Sequence, residues 1–179
     1  MSTTDSFIQI LEQIEGLEYE DLTFDRGDFL IRDGEVEKRL YHILSGAVHA
    51  FYVSEHEEHT IRFGYEGSMM NSINSFINQT GSELYFQAIR KTKVRAYTRA
   101  SFYKVKETNE FLQQLYVSAL ENLAKQQMER EIDLLTVSPI ERLRRVQARS
   151  PRLFQEIPAK YIASYLRMTP ETLSRIMNA

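Results

Sequence analysis

In the run TPETLSR (169–175), Glu171 and Arg175 stand four residues apart. Helical periodicity puts such a pair on one face, about one turn apart. A guanidinium can donate two hydrogen bonds to guanine O6 and N7, and a carboxylate can accept from the amino group of cytosine. The pair therefore has the chemistry to read base edges in a major groove. Thr169, Thr172 and the free N–H groups of a helix's first turn can meet phosphate. The other candidate cluster is EHEEH (55–59), where His56 and His59 stand among three glutamates. Imidazoles and carboxylates can hold a divalent metal, but so polar a stretch between two strands reads as a solvated hairpin tip, and no metal is assigned. No Ser-His-Asp order, P-loop or glycine-rich phosphate fingerprint occurs, so no catalytic residue, enzyme activity or cofactor is expected.

The charge distribution favours a polyanionic partner for the C-terminal segment. The net charge is −3, yet residues 136–179 carry 8 Lys+Arg against 3 Asp+Glu, while residues 1–135 carry 14 against 22. A small basic segment behind an acidic body suits phosphate contact, although a solvated basic helix face has the same composition. With no cysteine in 179 residues, disulfides, thiolate metal sites and cysteine nucleophiles are excluded. No apolar run is long enough to cross a membrane, and the acidic N-terminus does not resemble a signal peptide, so a cytoplasmic protein is expected.

The elements that would position these groups divide the chain into three. Phe7, Ile10, Leu11 and Ile14 recur at helical spacing over 4–16, with Gly16 as a stop. From Leu22 to Val105, short apolar runs alternate with glycine-punctuated turns. LYHIL (40–44), AVHAFYVS (47–54), TIRFGY (60–65), LYFQAIR and VRAYTR read as strands, and about eighty residues of this pattern predict a small jelly roll or sandwich. Residues 108–135 hold neither Gly nor Pro. Leu112, Leu115, Ala119, Leu123, Met128, Ile132 and Leu135 form a stripe along one helix of roughly 40 Å. Such a stripe can serve as a seam with a second copy or lie along the chain's own sheet; the length and polarity favour the seam.

Val137-Ser138-Pro139 ends the long helix, with Ser138 as cap and Pro139 in the first turn of the next. Pro158 then opens a short helix whose core face is Ala159, Ile162, Ala163, Tyr165 and Leu166, with Lys160, Tyr161 and Ser164 roughly opposite. After Arg167-Met168, Thr169 caps and Pro170 begins a second helix, with Leu173, Ile176 and Met177 on its apolar face. Two helices, a tight turn and small Ala163 at the close approach describe a helix-turn-helix.

IPAKYIASYLRMTPETLSRI resembles the recognition segment of the Crp/Fnr family of transcription regulators, with ETLSR (171–175) close to the family's E-T-[VL]-[SG]-R core. GDFLIRDGEVEKRLYHILSGAVHAFYV (27–53) resembles the start of that family's cyclic-nucleotide-binding jelly roll. The resemblance runs from about residue 20 to 176. It implies an α+β chain: a jelly-roll sensor domain over 1–107, a dimerisation helix over 108–135 and a helix-turn-helix domain over 136–179. It implies a homodimer on double-stranded DNA, with Glu171 and Arg175 reading bases, Thr169 and Thr172 holding the backbone, and contact with the transcription machinery. Haem is a further ligand that the resemblance allows, through His42 or His49, but packing histidines are the expectation at both.

Three departures from the family pattern shape the expectations. Arg167 stands where the turn usually has Gly, at a cost of about 1 kcal/mol if it must be left-handed, and Pro170 replaces a base-contacting polar residue. Asn71-Ser72 lies where the family's nucleotide-binding members have Gly-Glu, and Ser82-Glu83 where they have Arg and a small residue. With no cation at Ser82 and a carboxylate at Glu83, cyclic AMP is not expected to bind in the usual mode, which leaves an unknown effector or none. Finally, no residues follow the second helix to form a β-hairpin wing, so Lys160, Arg144, Arg145 or Arg149 would have to supply its phosphate contacts. A different class of function stays open: a ligand-binding or protein-interaction module whose helix-turn-helix no longer reads DNA.

Overall fold

The computed structural model describes Leu11 and residues 13–178. Most of the helix expected over 4–16 lies outside the described residues; from that stretch Leu11 is buried and Ile14 packs beside it. Among the described residues the strands are β1 (Tyr19–Phe24), β2 (Phe29–Ile31), β3 (Arg39–Ser45), β4 (Ala47–Ser54), β5 (Glu57–Tyr65), β6 (Met69–Met70), β7 (Tyr85–Ala88) and β8 (Thr92–Thr98). They build two four-stranded sheets, ordered β1-β8-β3-β6 and β2-β7-β4-β5. Every pairing is antiparallel. This is the jelly roll that the alternating pattern predicts. Ile43, Val48, Ala50, Met70, Phe86 and Val94 fill the space between the sheets. The chain crosses from one sheet to the other at Gly46, whose φ of +97° and close approach to Thr92 leave no room for a side chain.

The strand β4 is buried without interruption from Ala47 to Phe51. A sheet open to water on one face would alternate, so both faces of β4 must be covered. Val48 and Ala50 point between the sheets, while His49 stacks on Phe51 and meets the Tyr161 ring at 4.6 Å. His49 and His42 are both buried, more deeply than the half-buried packing expected; burial pulls the His49 imidazole below its ordinary pKa.

The helices are α1 (Ile73–Asn78), α2 (Arg99–Thr108), α3 (Glu110–Leu135), α4 (Pro139–Arg149), α5 (Leu153–Glu156), α6 (Ala159–Tyr165) and α7 (Pro170–Met177). The side chains of Thr98, Asn109, Ser138 and Thr169 cap α2, α3, α4 and α7 by accepting from backbone N–H groups. Two helices depart from the strand reading of residues 22–105: α1 follows β6, and α2 precedes the long helix, divided from it at Asn109. The hairpin tip is also tighter than expected. Only Glu55 and His56 turn, at φ of 52° and 68°, and β5 takes up Glu57, Glu58 and His59.

The stripe on α3 divides into a buried half and an exposed half. Leu112 is fully buried with Phe76, Tyr97 and Phe102, and Leu115 and Ala119 pack beside it, so the first half lies on the roll. Met128, Ile132 and Leu135 remain 50–74% exposed. In the last turns, buried Asp133 receives the guanidiniums of Arg145 (2.9 Å) and Arg149 from α4. A third core joins Leu143, Val146, Ile157, Ile162, Ala163, Leu166 and Leu173 of the C-terminal helices to Ala47 and Ile89 of the roll.

Candidate nucleic-acid interface and ligand pocket

The helices α6 and α7 form the paired arrangement predicted. Thr169 Oγ accepts from the Thr172 N–H at 3.2 Å, Pro170 occupies the first turn, and Leu173 is buried against Ile162, Ala163 and Leu166. Burying one face leaves the other to solvent. Glu171 and Arg175 are both exposed there, as is Thr169, with Thr172 half-buried between them. The backbone N–H of Glu171, in the first turn, and the Thr169 hydroxyl hold the Glu171 carboxyl below the usual range, so it is an ionised acceptor at neutral pH. The Thr169 hydroxyl also lies 3.2 Å from the Thr172 hydroxyl.

Between the two helices Arg167 has a φ of +54°, the left-handed turn in which the sequence reading places its cost. Its guanidinium lies 2.9 Å from His59 Nδ1 on β5. The Ser164 hydroxyl sits 3.3 Å from both the Thr60 N–H and the Glu58 carbonyl. Tyr161 and Ser164, expected on the outer face of α6, therefore lie against the β4–β5 hairpin. A helical wheel shows that these residues share a face, but not that a sheet covers it. His59 is committed to Arg167, and no group of three or more metal-ligating side chains occurs among the described residues. Of the four cations named as replacements for a wing, Lys160 and Arg144 are exposed. Arg145 and Arg149 are bound to Asp133.

The resemblance puts a nucleotide phosphate at segment 71–83. Ser72 and Ser82 are 3% and 2% exposed, with their hydroxyls 2.8 Å apart. Asn71 is half-buried, whereas Glu83 faces solvent. The carboxylate that matters electrostatically is one the sequence reading misses, Glu37, which is 2% exposed. It accepts from the N–H of Arg39 (3.0 Å) and of Ser72 (3.4 Å), and its own N–H donates to Ser75 Oγ. Burial pushes its carboxyl up to about 7 despite those hydrogen bonds. Nothing in DGEVEKR marks this glutamate as the buried one among its acidic neighbours.

Residues 21–109 match the family of the cyclic nucleotide-binding domain. No curated protein matches the sequence. Among solved structures, FixK2 from Bradyrhizobium japonicum superposes with a TM-score of 0.73 at 19% identity, covering 90% of this chain and 84% of that one. The catabolite activator protein of Thermus thermophilus gives 0.58 at 17%, over 99% and 85%. CLP of Xanthomonas campestris, described as a c-di-GMP responsive global regulator, gives 0.65 at 13%, over 97% and 89%. The roll thus matches the model of the cyclic nucleotide-binding domain over residues 21–109. With its long helix and terminal helix pair, the chain shares the fold of these solved structures. Among the described residues no helix is long and apolar enough to cross a membrane.

Proposed function

We propose that this protein is a homodimeric, sequence-specific DNA-binding transcription regulator whose roll no longer takes a cyclic nucleotide by the family's phosphate cassette. The observation that carries the reading is the shared exposed face of Glu171 and Arg175 on a capped helix whose opposite face is buried. The exposed half of the α3 stripe supplies a seam to a second copy. Across a twofold axis, two α7 helices could then meet half-sites ~34 Å apart, one helical turn of DNA. Glu171 and Arg175 read bases; Thr169, Thr172 and Lys160 contact the sugar-phosphate backbone. Ser72 and Ser82 satisfy each other where a carboxylate and a cation would hold ribose and phosphate, and buried Glu37 adds negative character nearby. Both features disfavour cyclic AMP.

The test is selection of bound duplexes from random DNA, followed by fluorescence anisotropy at several salt concentrations. A palindromic consensus with steep salt dependence is the expected result. The second reading, an interaction module with a silent helix-turn-helix, draws on the tie of α6 and Arg167 to the β4–β5 hairpin. Selection that yields no consensus, with weak binding to every duplex, would favour it.

A further inference from the structure

We propose that His49 and His59 make the β4–β5 hairpin a proton-sensitive latch: neutral, they hold α6 and the turn before α7 against the roll; protonated, they let that pair go. Each touches the C-terminal helices from one of two neighbouring strands. Each does so through a contact that favours an uncharged imidazole.

At His59 the chemistry is direct. Arg167 Nη1 lies 2.9 Å from His59 Nδ1. A guanidinium donates and never accepts, so Nδ1 must be the acceptor and can carry no proton. Protonation would remove that acceptor and set two cations against each other. Arg167 sits in a left-handed turn with a φ of +54°, so this bond is one of the contacts that hold a strained residue in place. The other charges at His59 are Glu57 and Glu58 beside it on β5, with Tyr52 opposite on β4. Arg130 of α3 places further positive charge near Arg167.

His49 is the buried member, 1% exposed, stacked on Phe51 with its ring 4.6 Å from that of Tyr161 on α6. Its Nε2 lies 3.1 Å from Gln87 Oε1, and the Gln87 amide nitrogen donates to the Gly27 carbonyl, which turns the amide oxygen toward the histidine. Nε2 therefore carries the single ring proton, and Nδ1 has no hydrogen-bond partner among the described residues. A second proton, on Nδ1, would make a buried N–H without an acceptor, a cost that water relieves once Tyr161 moves away. Burial is the largest influence on this imidazole and holds it below its ordinary value of 6.5; Glu58 on β5 favours the proton and Lys160 on α6 opposes it. The folded chain thus binds that proton less tightly than the unfolded one. Docking of α6 is fully favoured above about 6.5 and weakens as pH falls below that value.

The contacts of the Ser164 hydroxyl with the Thr60 N–H and the Glu58 carbonyl do not titrate, so the response belongs to the two histidines. Glu37, the buried titrating carboxyl of the roll, responds with the opposite sign. A loss confined to α6 and the turn on acidification is therefore distinct from a general loosening. This goes beyond the DNA-binding reading, and its readout needs no DNA.

The test is hydrogen exchange of the full chain at pH 8 and pH 5.5, corrected for the intrinsic dependence of exchange on pH. Protection across 158–169 should fall about tenfold at pH 5.5 relative to β3 and β8. His59→Gln, whose amide oxygen can accept from Arg167 without titrating, should cut that loss about threefold, and adding His49→Phe should abolish it. His59→Lys should show the loss already at pH 8. No selective loss in the wild-type chain, a His59→Gln or double variant that loses as much as wild type, or a folded His59→Lys variant with wild-type protection at pH 8 would overturn the proposal. If His49→Phe fails to fold, the two His59 variants decide the matter, since that side chain is only half-buried.

Discussion

Glu37 is the residue at which this fold gives up stability. Its carboxyl is about 7 in the folded chain against an ordinary glutamate value near 4.5, because burial outweighs the backbone N–H groups it accepts from. A raised folded value means that the folded state binds the proton more tightly than the unfolded one. The protonated form is therefore comfortable below about 4.5, and stability falls as pH rises through about 7, by an amount on the order of 3 kcal/mol. Thermal unfolding at pH 5 and pH 8 should show that decline, and Glu37→Gln should flatten it; an equally steep decline in the variant would contradict the assignment. Arg175→Ala should reduce discrimination between the selected DNA site and its single-base variants by about 1–3 kcal/mol. An equal loss on every duplex in an anisotropy titration would instead make Arg175 a phosphate contact. Glu171 and Arg175 were legible in the sequence because a period of 3.6 is enough to put them together. Glu37 was not, since its burial depends on Ser72 and Ser75, which arrive from 35 and 38 residues away.

At the level of the helix, α3 works differently at its two ends. Leu112→Ala should destabilise the monomer fold by about 2–5 kcal/mol in chemical unfolding, since its side chain is fully enclosed by aromatic rings. The double change Met128→Glu and Ile132→Glu should leave the fold intact and convert a dimer to a monomer in sedimentation, because both side chains are exposed. The turn before α7 offers a third measurement. Arg167→Gly should remove roughly 1 kcal/mol of left-handed strain, offset in part by loss of the His59 contact, so its melting temperature should not fall. The proline-led helices α4 and α7 were visible in the sequence because a capping hydroxyl precedes each proline. The missed helix α1 is six residues, INSFIN, with no side-chain cap and no charge in its first turn. The other, α2, follows the alternating strand VRAYTR directly, and only Asn109 separates it from α3.

At the scale of the whole chain, the roll and the C-terminal helices share one core and the polar contacts of α6 and Arg167 with β5, while an ion network ties α3 to α4. Asp133 is fully buried while Arg145 and Arg149 keep 35% and 24% of their side-chain exposure. Asp133→Asn should therefore cost less than the ~3–5 kcal/mol of a fully enclosed broken pair. Hydrogen exchange should report the change as faster exchange in α4–α7 than in the roll. The fold class was legible because the strand period that begins near Leu22 gives way to a helical period at residue 108. The joining was not, because Ala47 and Ile89 look like ordinary strand residues until the C-terminal helices cover them. That covering limits how far the C-terminal helices can be moved. Residues 136–179 grafted onto an unrelated regulator would expose the apolar floor now closed by Ala47, Ile89, Phe63 and Tyr65. A chimera that carries the β4–β5 hairpin along with the helices should stay soluble, whereas one that takes the helices alone should precipitate.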